Sequence, residues 1–295
     1  AGVPPHAARL AFEKFAAGRR YNFLELNAGT ILRFQKFLLN EGLKNNTITF
    51  YLTKLRAVYN KAAREGFVPK GTDPFEGISL RIEKTRKLAV SDSVLRKVAA
   101  SKFPGKNELA VSRDLFLFSF YTRGMSFVDM AYLQQTDIQD NVIRYRRRKT
   151  GQLFTIRIIP ELQALIDRYR NFCTPWVLPI MMYIAPGGES LPYRFDGTTP
   201  EERYELELSL HRHYIYARSN YLRMLRRLST RLGLEQNLTF NMARHTWASR
   251  ARRKGIPMAV ISEGLGHTSE KTTRIYLDEL EAKRLDDANR IVTAF

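Results

Sequence analysis

The stretch from residue 66 to 80 constrains this chain's fold more than any other. It holds Gly66, Pro69, Gly71, Pro74 and Gly77. Proline lacks the backbone donor that helices and central strands need, and glycine is conformationally loose, so no regular element runs through such a stretch. Arg81 to Lys87 follows as a basic tract without an apolar face. The chain therefore reads as two domains: a helical domain over 1–80, a basic linker over 81–89, and a larger domain over 90–295. A length of 295 residues is enough for two hydrophobic cores.

Ahead of the break the pattern is helical. Ile31, Leu32, Phe34, Phe37, Leu38 and Leu39 predict a helix over 30–40, with Gly42 as its stop. Ile48, Leu52, Leu55, Tyr59 and Ala62 predict a second over 47–64, ended by Gly66. Lys54, Lys61 and Arg64 recur off that apolar stripe. They read equally as a solvated face or as a face turned to phosphates.

Beyond the linker, helices are expected at about 91–100, 108–121 and 126–133. Val142 to Arg148 and Leu153 to Ile159 form a hairpin around the turn Lys149 to Gln152, and Pro160 opens another helix. Residues 174–204 are rich in Pro and Gly and read as a loop or insertion. A long helix over 205–231 precedes short ones at about 242–253, 257–264 and 269–277, with a tail helix at 278–292. The fold class is mainly α with a small antiparallel β-sheet.

Composition narrows the partners. Lys and Arg total 48 against 29 Asp and Glu, giving net charge +19 and pI about 10.1. The excess is shared: +8 falls in residues 1–86 and +11 in the rest. A polyanion is the expected partner, and two basic domains on a basic linker could clamp duplex DNA. A single cysteine, Cys173, excludes a disulfide framework and fits a reducing cytoplasm. No run approaches the roughly 18 apolar residues of a membrane span, and residues 1–20 lack the apolar core of a secretory leader. The chain does not begin with Met, which leaves room for a segment upstream.

The chemistry concentrates near the C-terminus. Arg244 and His245 stand in the segment Asn241 to Ser249, and Gly264-Leu265-Gly266-His267 leads on to Tyr276. An arginine fork suits two phosphate oxygens. A histidine can donate a hydrogen bond or move a proton. A tyrosine hydroxyl is a nucleophile once its proton is removed. Singly, each has an ordinary reading: a surface ion pair, a helix cap, a core aromatic. Their joint spacing carries the inference. No Walker loop, carboxylate cluster or Cys/His metal spacing is present.

Arg244-His245, Leu265-Gly266-His267, and Tyr276 nine residues after His267 resemble the C-terminal motif of the tyrosine recombinases, or phage integrases. Thr272 and Thr273 fit as well. The resemblance implies a helical, SAM-like core-binding domain before the catalytic domain. It implies Tyr276 as nucleophile of a 3′-phosphotyrosyl intermediate, with Arg244 and His267 neutralising the phosphate. Lys149 would protonate the leaving 5′ oxygen from the hairpin tip. Arg147 and Arg148 beside it are expected to touch DNA. Neither metal, ATP nor cofactor is implied. The partners would be double-stranded DNA and three further copies, as a tetramer on DNA from a monomer in solution, with accessory bending or directionality factors. The setting would be a bacterial nucleoid.

Two positions depart from the family text. Where the family has its first catalytic arginine, this chain reads Thr122-Arg-Gly-Met-Ser126, followed by Asp129. Ser126 occupies the arginine position. This form is similar to integrases of Bacteroides-type mobile elements. Arg123, or one of the hairpin arginines 146, 147 and 148, would supply the missing guanidinium. Asn241 stands at the usual first histidine, where it can donate to a phosphate oxygen but not transfer protons. Asp129 matches the family's acidic residue, expected to hold a catalytic Arg or His in place. His245 is expected to act structurally. The apolar stripe after Tyr276, from Leu277 to Val292, would dock on a neighbouring copy or on its own chain. A type IB topoisomerase-like nicking enzyme and a silent DNA-binding protein are the rivals to this reading.

Overall fold

A computed structural model describes residues 5–68, 71–80, 82–83, 89–104, 107–171, 173–184, 189–194 and 197–267. The chain separates into two compact units, residues 1–86 and 87–295.

Unit 1 is built on α1 (Pro5–Ala16), α2 (Ala28–Asn40) and α3 (Asn45–Arg64). Asn27 caps α2 by accepting from the Thr30 amide at 2.9 Å. Gly42 (φ 74°) ends that helix in the left-handed conformation that glycine tolerates best. Ile31, Phe34 and Leu38 from α2 meet Ile48, Leu52 and Tyr59 from α3, with Phe75 beyond the breaker stretch closing the same core. Asn46 exchanges two hydrogen bonds with the Glu83 backbone, tying that part of the basic tract to the start of α3.

Unit 2 is organised around α5 (Glu108–Tyr121), whose residues from Ser112 to Ser119 are all buried. Helices α4 (Asp92–Ala100), α7 (Pro160–Tyr169), α8 (Pro200–Arg231) and α9 (Phe240–Arg253) pack on it. So central a helix is buried on every side from Ser112 to Ser119, which is why its pattern shows no solvent-facing stripe. The polar pair it buries is satisfied. The Asp114 carboxylate accepts from Arg113 (2.8 Å), Arg168 (2.6 Å) and the Tyr169 hydroxyl (2.7 Å).

The sheet is antiparallel in the order β1 (Ile138–Gln139), β2 (Val142–Arg146), β3 (Leu153–Arg157). Ile143 pairs with Ile156 and Tyr145 with Phe154 on the buried face. Both hairpin strands are two residues shorter than the sequence expectation: β2 ends early because Arg147 to Gln152 close the turn among themselves, and β3 ends at Arg157. Strand β1 was not expected; at two residues it is too short to carry a periodicity.

Residues 174–204 depart most from expectation. They are no simple loop. Trp176, Val177, Leu178, Ile180 and Met181 are buried, and their stretch hydrogen-bonds to residues 133–135. Strands β4 (Met182–Ile184) and β5 (Ser190–Pro192) pair, and α8 already begins at Pro200 behind a Thr199–Glu202 capping box. An apolar run interrupted by Pro179 has neither period, so it hides its core role from a pattern reading. Helix α6 (Phe127–Ala131) and helix α10 (Met258–Leu265) complete the described α-helices. The expected helices at 269–277 and 278–292 lie outside the described residues.

Candidate active site

Arg244 lies on α9 and is buried. Its Nη1 donates to the Gly124 carbonyl at 3.1 Å, and its Nη2 donates to the Leu265 carbonyl and to His267 Nε2, the latter at 3.1 Å. Two chain segments, at Gly124 and at Leu265 to His267, thus fix one guanidinium. The approach from the α5–α6 turn is very close. A Cβ on Gly124 would lie 2.4 Å from Arg244 Cβ and Cγ, and Gly124 has φ +82°. Only glycine meets both conditions there.

His267 follows Gly266, which ends α10 with φ +64°. The His267 amide returns to the Ser262 carbonyl at 3.0 Å, closing the helix end. A Cβ on Gly266 would lie 2.2 Å from Phe154 Cζ, so the Leu-Gly-His glycine admits the hairpin as well as the turn. Since an arginine only donates, His267 Nε2 must accept and the ring proton sits on Nδ1. Burial, with the cations Arg244 and Arg147 beside it, pushes the imidazole pKa down to about 4. At neutral pH this histidine is an uncharged hydrogen-bonding group.

Arg147 reaches back from the hairpin, donating to the carbonyls of Gly266 (3.2 Å) and Leu265 (3.4 Å). The Arg148 guanidinium lies over the Tyr132 ring at 3.9 Å. Lys149 is exposed at the hairpin tip. Arg123 adopts φ +60°, unusual for a side chain with a Cβ, and its Cδ lies beside Gly264 of α10. Ser126 caps α6 and donates to Asp129 Oδ2 at 2.6 Å. Asp129 is buried, and its Oδ1 accepts the Arg148 backbone N–H at 2.9 Å. The expected grip of Asp129 on an Arg or His side chain is not the contact made by these oxygens. The hairpin backbone takes that place. His245 is buried and Asn241 is exposed one turn before Arg244.

In unit 1, Lys54 lies 5.3 Å over the Phe50 ring, Lys61 faces Glu65 at 3.8 Å, and Arg64 is exposed. Tyr276 lies outside the described residues. Sequence reasoning missed Tyr145. Its ring stacks on Phe154, and burial raises its phenol pKa. The charge of Asp129 adds to that rise, while Arg147, Arg244 and Arg123 oppose it. A neutral phenol thus stands among the site's ions. An inward-facing tyrosine two residues before an Arg-Arg-Lys turn was the available signal. Cys173 is buried, which pushes its thiol up to about 12 and leaves it inert. Among the described residues no group of His, Cys, Asp and Glu could hold a metal ion.

The phage integrase family model matches residues 107–283, and the phage integrase SAM-like domain matches residues 6–78. The chain belongs to the phage integrase family. A tyrosine recombinase of Pseudothermotoga lettingae is 21% identical, over 85% of this chain and 76% of the relative. The tyrosine recombinase XerC of a Roseiflexus species is 22% identical, over 88% and 77%. The fold is also that of XerH site-specific recombinase in a post-cleavage complex with its difH substrate. There the TM-score is 0.63 at 16% identity, covering 97% of this chain and 78% of that one. A lambda integrase dimer bound to a core site gives TM-score 0.57 at 16% identity, covering 92% and 94%. The mostly helical family fold with a small antiparallel sheet, expected from the sequence, is the one observed.

Proposed function

We propose that this chain is a site-specific DNA recombinase that cuts and rejoins strands through a 3′-phosphotyrosyl link, in the integration or excision of a mobile element. The observation that carries the reading is the buried Arg244 guanidinium, fixed by the Gly124 and Leu265 carbonyls beside a neutral His267. Such a fixed donor set suits an anionic, pentacoordinate phosphorus, and needs no reorganisation as charge develops.

Tyr276 gives up its hydroxyl proton to water and attacks phosphorus, forming the O–P bond as the P–O5′ bond breaks. Lys149 gives its proton to the departing 5′ oxygen. Arg244 and His267 bind the non-bridging oxygens, and Arg123 supplies the second guanidinium where Ser126 cannot. Asn241 donates a hydrogen bond to the phosphate. A 5′ hydroxyl of the partner duplex then reverses these steps, so the link conserves the phosphodiester energy without ATP or metal. Lys54, Lys61 and Arg64 of unit 1 and Arg147 and Arg148 of the hairpin lie along the DNA. Relatives of this fold act on DNA as dimers and, for lambda integrase on a Holliday junction, as a tetramer; this chain works as a tetramer on its sites. No helix among the described residues is long and apolar enough to cross a membrane, and the work is done at the nucleoid, in the cytoplasm.

Covalent trapping tests this. A nicked duplex from the ends of the element encoding the chain should yield a protein–DNA adduct on a denaturing gel. The adduct should persist with a chelator and vanish in Tyr276→Phe. Absence of an adduct on DNA that the protein binds would favour a silent DNA-binding protein.

A further inference from the structure

Ser126 stands where the family carries an arginine, and its side chain is engaged. Its Oγ accepts from the Asp129 amide at 3.3 Å and donates to Asp129 Oδ2 at 2.6 Å. This ring fixes the carboxylate rotamer at the start of α6. The other oxygen, Oδ1, is left pointing at the sheet, where it accepts the Arg148 amide at 2.9 Å. Asp129 is 4% exposed, so a charge-assisted bond there is well shielded from water.

Arg148 is the residue before Lys149. The turn they share is closed on itself: the Arg147 amide donates to the Gln152 carbonyl at 2.8 Å, and the Gly151 amide to the Arg147 carbonyl at 2.7 Å. A turn so bonded moves as one piece. Among the described residues its attachments to the rest of unit 2 include the Arg147 contacts with the end of α10, the Phe154 contact with Gly266, the Arg148 guanidinium over Tyr132, and the Asp129 oxygen. Of these, the Asp129 bond holds the backbone, at the residue next to Lys149. The Arg148 guanidinium does not compete for the carboxylate, since it lies over Tyr132.

We infer that Ser126 and Asp129 form a latch that positions the Lys149 hairpin, so that the residue replacing the family arginine serves the leaving-group side of the reaction. Asp129 is here a positioning residue acting through the Arg148 amide. The inference rests on the reading of Lys149 as the proton donor to the 5′ oxygen.

A leaving-group substitution separates this from a general structural role. In a duplex carrying a 5′-bridging sulfur at the scissile phosphate, the P–S bond breaks and a thiolate departs. A thiol pKa of about 8.5 makes protonation unnecessary. Single-turnover cleavage would be measured on oxygen and sulfur duplexes. A misplaced general acid costs roughly 10²-fold or more on the oxygen duplex. Lys149→Ala and Asp129→Ala should both show that loss, and both should return to near the wild-type rate on sulfur. Asp129→Asn keeps the Oδ1 acceptor and should fall between wild type and Asp129→Ala on oxygen. Ser126→Ala frees the rotamer and should show a smaller loss, also recovered on sulfur. Asp129→Ala that stays slow on sulfur while Lys149→Ala recovers would overturn the latch, placing the carboxylate's work with the phosphate-binding groups. Asp129→Ala at the wild-type rate on oxygen would overturn it too. Lys149→Ala that stays slow on sulfur would remove the lysine as acid, and the latch with it.

Discussion

The two units bury different kinds of side chain. In unit 1 the buried polar side chains among the described residues are Thr30 and Thr49. The ion pairs described there, such as Lys14 with Glu41 and Arg19 with Glu25, lie at the surface. Unit 2 takes Arg113, Asp114, Asp129, Arg244 and His245 into its interior. Removing a charge from water costs several kcal/mol unless hydrogen bonds offset it. Carbonyls of Gly124 and Leu265 do so for Arg244, and Ser126 with Arg148 for Asp129. Charge left outside attracts a polyanion from a distance and is screened by salt. Charge held inside, in a fixed array, acts on one bond. Both units carry surface charge in excess, and among the described residues unit 2 alone adds a buried array.

The largest test of that division is Arg244→Ala. Loss of one preorganised donor should slow cleavage by roughly 10²–10³-fold, while a gel shift finds affinity for duplex DNA little changed. Equal losses in both would erase the distinction between binding and chemical charge.

A smaller effect should appear with pH. The folded His267 pKa is about 4, below the ordinary 6.5. The folded state therefore disfavours the protonated ring. This contribution to stability is complete above about 6.5 and is lost as pH falls toward about 4. Denaturant midpoints of the wild type should drop relative to His267→Gln across that window. Parallel curves would mean that the imidazole is not held neutral.

The smallest change is expected in unit 1. If Lys54 contacts a phosphate, Lys54→Ala should lower the slope of log affinity against log salt by about 0.9. Cleavage of saturating DNA should keep its rate. An unchanged slope would return Lys54 to an ordinary solvated face packed on Phe50.

Most elements were legible because their signals are local. Asn27, Ser91 and Thr199 each cap a helix by accepting from the amide three residues on, and Gly42, Gly66 and Gly266 end helices with positive φ. Thr199 went unused because the Pro- and Gly-rich text before it masked the helix. The buried stretch from Trp176 to Met181 was illegible for a related reason: a segment buried without periodicity looks like a loop until its partners are known.

The sequence by itself singled out Arg244, Leu265-Gly266-His267 and Tyr276, through their spacing along one short stretch of chain, and of these the described residues bring Arg244 and His267 together. It also determined that charge would be in excess on both sides of the breaker stretch. Only the tertiary structure decided what those residues are to one another. Gly124 and Arg244 stand 120 positions apart in the chain and share one hydrogen bond. Asp129 holds a backbone amide rather than an arginine, His267 is neutral, and Tyr145 stands among the ions. Protonation and partner choice depend on burial and on charges within a few ångströms, and the folding of distant segments onto one another sets both.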